Sequence, residues 1–122
     1  MEFTQLRNLN RGYMKLDVWN KGIELYEAIW KVTRQVEIGP KLKSQLLDST
    51  LSICSNIAEG YSRRSIKEYI QYLYVSLGSL SETMTRVIGL RVTREISEDQ
   101  FRCIDALHYE VEHKTIRLVE SL

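Results

Sequence analysis

Apolar residues recur along the chain at helical spacing, in four blocks separated by turn signals. In the first block Val18, Gly22, Leu25, Ile29, Val32 and Val36 keep a 3.6-residue period, which predicts a helix from Val18 to Val36. Asp17 is its expected N-cap, because a carboxylate there accepts from the free amides of the first turn. "EIGP" should end it: Gly39 suits a left-handed C-terminal position and Pro40 cannot continue the hydrogen-bond ladder. The second block predicts a helix from Lys41 to Glu59. Leu42, Leu46, Ser49, Ile53 and Ile57 form one stripe, and Leu47, Leu51, Cys54 and Ala58 form another beside it. A helix apolar around so much of its circumference should be largely buried. Gly60 reads as its stop.

The third helix is the longest, from Ile66 to Val92, and Ser65 with Glu68 has the capping-box pattern at its start. Ile66, Ile70, Leu73, Leu77, Leu80, Met84 and Val87 define its core face, and Gly78 and Ser79 should let a neighbour come close. The fourth runs from Glu98 to Leu122, with Ser97 as N-cap and with Glu98 and Asp99 at the positive end of the helix dipole. Phe101, Ile104, Leu107, Val111, Leu118 and Leu122 face inward. Short connections make successive helices antiparallel. The fold class is therefore all-α, an up-down-up-down four-helix bundle over residues 17–122. A loosely ordered N-terminal segment, residues 1–16, is expected to precede it.

The first helix carries a second stripe, Trp19, Ile23, Tyr26 and Trp30, offset from the core stripe. Aromatic residues are enriched where proteins meet, so this stripe is a candidate homo-oligomer interface. The alternative is that it only widens the core. Tyr69, Tyr72 and Tyr74 add aromatic surface to the third helix.

Composition narrows the function classes. A 122-residue chain fits one domain and buries about two thirds of its unfolded surface. A net charge of +1 is far from the basic balance of most nucleic-acid modules. Cys54 and Cys103 have no metal-type spacing and fall in apolar helical patterns, which predicts two buried thiols in a reducing, cytoplasmic setting. No apolar run of membrane-spanning length occurs, and the N-terminal stretch lacks a signal-peptide core.

Candidate chemistry is sparse. Glu110 and His113 make a single Glu-x-x-His, where carboxylate-bridged di-metal bundles need two copies and further glutamates. No phosphate loop, nucleophile elbow or Cys-x-x-Cys is present. The expectation is a non-enzyme with no metal, no cofactor, no small-molecule substrate and no membrane partner. Charge is uneven along the chain. Residues 61–94 carry six bases against two acids, and residues 95–122 three bases against seven acids. The third and fourth helices could therefore attract each other, although exposed pairs contribute little. Arg63, Arg64 and Lys67 gather at a helix N-terminus, where free amides also favour anions, and form the candidate nucleic-acid contact. Arg-Arg at a solvated turn has a plainer reading, solubility and capping. Ser52, Ser55, Asn56 and Glu59 share one face of the second helix. Ser52, Asn56 and Glu59 are read as a structural polar cluster whose groups must find hydrogen-bond partners, with Arg63 or Arg64 a partner for Glu59.

The stretch from Ser44 to Glu82 resembles the 23S ribosomal RNA intervening-sequence protein family. The resemblance is carried by Ser44-Gln45-Leu46, Ser52-Ile53, Asn56 to Gly60, Arg63 to Ser65, Tyr69 to Leu73 and Gly78-Ser79. "LDVWNKGIELYEAIWKVT" looks like the family's first helix. Cys54 stands where proline is common, and Leu77 where arginine is usual. The resemblance implies a bacterial four-helix bundle assembled as a homopentamer, with no established enzymatic activity. A distant relative accompanies a reverse transcriptase and binds nucleic acid. Two functions follow: an oligomeric adaptor that binds RNA or a ribonucleoprotein, or a protein–protein scaffold without nucleic-acid contact.

Overall fold

The computed structural model describes residues 12–122. Residues 1–11 of the expected N-terminal segment lie outside the described residues, and Gly12–Lys15 form a short 3-10 turn. Four helices follow: α1 (Asp17–Gln35), α2 (Pro40–Tyr61), α3 (Ile66–Val92) and α4 (Glu98–Ser121). No strand occurs among the described residues. Each helix touches its two neighbours around a square, and neither diagonal pair meets. The chain is thus the up-down-up-down bundle that its periodicity predicts.

The inward stripes build one core. Leu25, Ile29, Ile53, Ile57, Leu73, Leu80, Val87, Ile104 and Val111 are sealed from water. Burying each such side chain contributes about 1.5–3 kcal/mol. Helix ends are fixed locally. At α4 the Gln100 amide donates to Ser97 Oγ at 3.1 Å and the Ser97 amide donates to Gln100 Oε1 at 2.8 Å, a complete capping box. At α3 the Ser65 hydroxyl accepts from the Glu68 amide at 3.2 Å. Past the end of that helix Arg94 is a left-handed residue with φ 63°, and the Glu95 amide reaches back to the Leu90 carbonyl at 2.9 Å.

Several sequence expectations change. Leu16, not Asp17, is the N-cap of α1. The preceding turn brings Leu16 into extended backbone, so Asp17 is already helical and pairs with Lys114 at 2.5 Å. Gly39 has φ −54° and is not left-handed; it caps α2, and Pro40 takes the first helical position, where it has no amide to lose. Gly60 does not stop α2. It lies inside the helix with no positive φ, and it must lack a Cβ, which would stand 2.6 Å from Tyr72 Cβ. Gly78 faces open space; the close approach is at Gly22, where a Cβ would meet Cys54 Sγ at 2.5 Å. Ile66, Leu51 and Leu122 are exposed rather than core. Ile66 and Leu122 fall at the extreme ends of their helices, beyond the core, and Leu51 belongs to an outer face.

Candidate functional site

The turn between α2 and α3 is built around Gly60. Without a side chain there, Tyr72 packs close to α2, within reach of Arg63. Arg63 Nη2 donates to Tyr72 Oη at 2.5 Å and to Glu59 Oε1 at 2.6 Å, and its guanidinium lies 4.9 Å from the Tyr72 ring. Tyr72 first, and then Glu59, hold this guanidinium even more firmly protonated than usual. Arg63 therefore clamps the turn. Arg64 and Lys67 are exposed, and neither has an ion pair or hydrogen-bond partner among the described residues. The three basic residues lie along the α2–α3 turn and the start of α3 in two states: one engaged, two open.

The polar cluster divides in the same way. Asn56 Nδ2 donates to the Ser52 carbonyl at 2.8 Å and to Ser52 Oγ at 3.0 Å. Ser52 Oγ shares a hydrogen bond with Ser79 Oγ across the α2–α3 seam at 3.0 Å. Glu59 takes no part in that chain; its partner is Arg63. The seam continues with Ser76 donating to the Ile53 carbonyl at 2.9 Å and Thr83 to Ser49 Oγ at 3.0 Å. Sequence reading missed Ser76 and Thr83. Small hydroxyl residues at 76, 79 and 83, facing 53, 52 and 49, were the available signal. At the turn end of the seam, Tyr69 stands edge-on to Tyr61, and its buried hydroxyl has no hydrogen-bond partner among the described residues.

The aromatic stripe of α1 also splits. Trp19 packs against the core and stands edge-on to Tyr13, with ring centroids 5.6 Å apart. Its carbonyl accepts the Cys54 thiol at 3.6 Å. Ile23, Tyr26 and Trp30 remain on the outer side and line a shallow groove of about 250 Å³. Trp30 is 41% exposed, and the Arg34 guanidinium lies 5.1 Å from its ring. On the other side of the bundle, α3 and α4 frame a groove of about 460 Å³, with Met84, Ile88 and Tyr109 beside Asp105 and Glu112. Beneath it His108 is buried, and its Nε2 donates to the Leu80 carbonyl at 2.8 Å.

A third groove, about 530 Å³, runs between α1 and α4 past Glu24, Glu27, Asp99 and Cys103. Cys103 is exposed, not buried as expected, because it points to this edge of α4 rather than to the core. Cys54 is buried, and loss of hydration pushes its thiol up to about 12 from 9.0. Because the folded value is the higher one, its contribution to stability is complete below pH 9 and is lost as pH climbs from 9 to about 12. The charge asymmetry of the sequence does not draw α3 to α4. Ion pairs instead tie α4 to α1, through Lys114–Asp17 and through Lys21–Glu110 at 3.4 Å. Glu24 first, then Glu110, raise the Lys21 pKa. Arg86 on α3 turns to Glu82 on its own helix and to the Gln45 carbonyl of α2. With Glu110 so engaged and His113 stacked on Tyr109, no group of three or more metal-type side chains converges among the described residues. No described helix is long and apolar enough to cross a membrane.

Comparison with solved structures finds the same architecture in a crystal structure from Bacteroides thetaiotaomicron VPI-5482. That protein is described as one of unknown function from the S23 ribosomal protein family. It is 25% identical, with a TM-score of 0.77 over 84% of this chain and 97% of that one. No curated protein matches the chain. The family model for the 23S rRNA-intervening sequence protein matches residues 14–117, from before α1 to the last turns of α4, and the chain belongs to that family.

Proposed function

We propose that the chain works without catalysis, as a cytoplasmic homo-oligomeric bundle that serves as an adaptor for RNA or a ribonucleoprotein. The family resemblance points to a pentamer as the assembled form. The observation that carries the reading is the pair Arg64 and Lys67, exposed and unpaired at the start of α3 beside the clamped Arg63. Two open cations beside the free amides of a helix start form a compact phosphate contact. In a ring that contact recurs once per copy, so a weak single grip becomes a strong collective one.

The test is a salt titration of binding to a labelled structured RNA hairpin. Each lost phosphate contact lowers the slope of log affinity against log salt by about 0.9. The Arg64→Ala/Lys67→Ala variant should bind more weakly and lose up to about two such contacts of slope. Arg63→Ala should instead lower the melting temperature, because it releases Glu59 and Tyr72. An unchanged slope in the double variant, or no binding by the wild type at low salt, would favour the rival scaffold function. The near-neutral charge of the chain is the feature that rival accounts for best.

A further inference from the structure

The bundle carries two unlike apolar faces on opposite sides. One is the outer face of α1, where Trp30 is 41% exposed and carries the Arg34 guanidinium on its ring. The other is concave: the groove between α3 and α4, where Ile88 and Tyr109 are 45% and 64% exposed. Since α1 meets only α2 and α4, and α3 meets only α2 and α4, the outer side of α1–α2 and that of α3–α4 point in opposite directions. One chain therefore cannot fill its own groove.

We propose that copies of this chain join head to tail, with Trp30 and Arg34 of one copy seated in the α3–α4 groove of the next. The proposal rests on the homo-oligomer reading given above and specifies its contact. Three observations select a second copy as the occupant. The first is charge. Arg34 has an aromatic ring for a neighbour but no carboxylate, and the groove is flanked by Asp105 and Glu112, neither of which has an ion-pair partner among the described residues. The second is apolar surface on both sides: an exposed indole on α1 faces one way and a groove of about 460 Å³ with Met84, Ile88 and Tyr109 the other.

The third is height along the bundle. The Gln35–Gln100 hydrogen bond and the Lys21–Glu110 and Asp17–Lys114 pairs fix the antiparallel register of α1 and α4, and put Trp30 level with the turn around Cys103. The His108–Leu80 bond fixes α3 against α4, and puts that same turn of α4 level with the Met84–Thr85 stretch beside Ile88. Trp30 and the α3–α4 groove thus lie at one level, so the contact needs no axial step. A head-to-tail contact closes into a ring only where its rotation per copy also closes, and otherwise runs on as a filament. A two-fold contact would set Trp30 against Trp30 and leave both α3–α4 grooves empty.

The experiment uses the full chain, Trp30→Glu, Ile88→Glu and their mixture, each followed by light scattering and far-UV circular dichroism. The wild type should be larger than one chain. Each variant alone should keep its helicity and run near the 14.3 kDa of one chain. Each retains the surface the other has lost, so an equimolar mixture should yield a one-to-one dimer and nothing larger. Charge exchange gives a second readout: Arg34→Glu should weaken assembly, and adding Asp105→Arg in the same chain should restore it. An Ile88→Glu variant that stays assembled while Trp30→Glu dissociates would overturn the pairing and assign a like-to-like contact. Two folded monomers that do not combine would also overturn it. A monomeric wild type would remove the oligomer reading itself.

Discussion

The two seams that α3 makes with its neighbours are built differently. Against α2 it presents Ser76, Ser79 and Thr83, and their hydroxyls meet Ser49, the Ile53 carbonyl and Ser52. Small side chains let the helices approach closely, and cross-seam hydrogen bonds fix which turn faces which. Against α4 it presents Leu80 to the core, but Met84 and Ile88 line an open groove. One seam is closed and specified by polar contacts; the other leaves apolar surface over for a partner. Within one helix, the positions that hold the fold and the positions free for assembly lie on different edges.

The sharpest way to break that contrast is truncation at equal chemistry. Leu80→Ala should destabilise folding by about 2–5 kcal/mol, because the site is sealed and cannot refill. Ile88→Ala, on the Trp30→Glu background to exclude assembly, should stay within about 0.5 kcal/mol. Urea unfolding of both variants reads the difference directly, and equal losses would mean that the α3–α4 groove is closed in solution. Next in size is Gly60→Ala. Its new methyl meets Tyr72 Cβ and the Tyr69 carbonyl, both rooted in backbone, so about 1–3 kcal/mol should be lost despite the better helix propensity. The smallest effects belong to the hydroxyl bonds. Thr83→Val should lose about 0.5–1.5 kcal/mol, as should Asn56→Ala, whose amide braces Ser52. Asn56→Ala with an unchanged melting temperature but weaker RNA binding would move that residue from the seam to the ligand site.

Much of this was legible in the chain itself. The span of α3 follows from Ser65 at one end and the loss of apolar period after Val92 at the other. The four-helix topology follows from periodicity and short connections. Glycine was the recurring source of error. Gly60 and a helix-stopping glycine look alike in sequence, because the need for a missing Cβ arises from Tyr72, twelve residues away. Gly39 before Pro40 could close one helix or open the next, and only the backbone angle decides. In the candidate site, the clustering of Arg63, Arg64 and Lys67 was readable, and so was the Glu59–Arg63 spacing of one turn. The third member of that clamp was not, since Tyr72 reaches Arg63 only through the packing of α3 on α2. Likewise the face of Cys103 depends on the rotation of α4 against α1, which no local pattern records.

The single accessible thiol has a practical consequence. Cys103 opens into the α1–α4 groove, away from both Trp30 and the α3–α4 groove, while Cys54 is buried under Gly22. A maleimide dye would then attach once per chain without covering either mating surface. Energy transfer between donor-labelled and acceptor-labelled chains would report subunit exchange in real time, and stepwise photobleaching would count the copies in each particle.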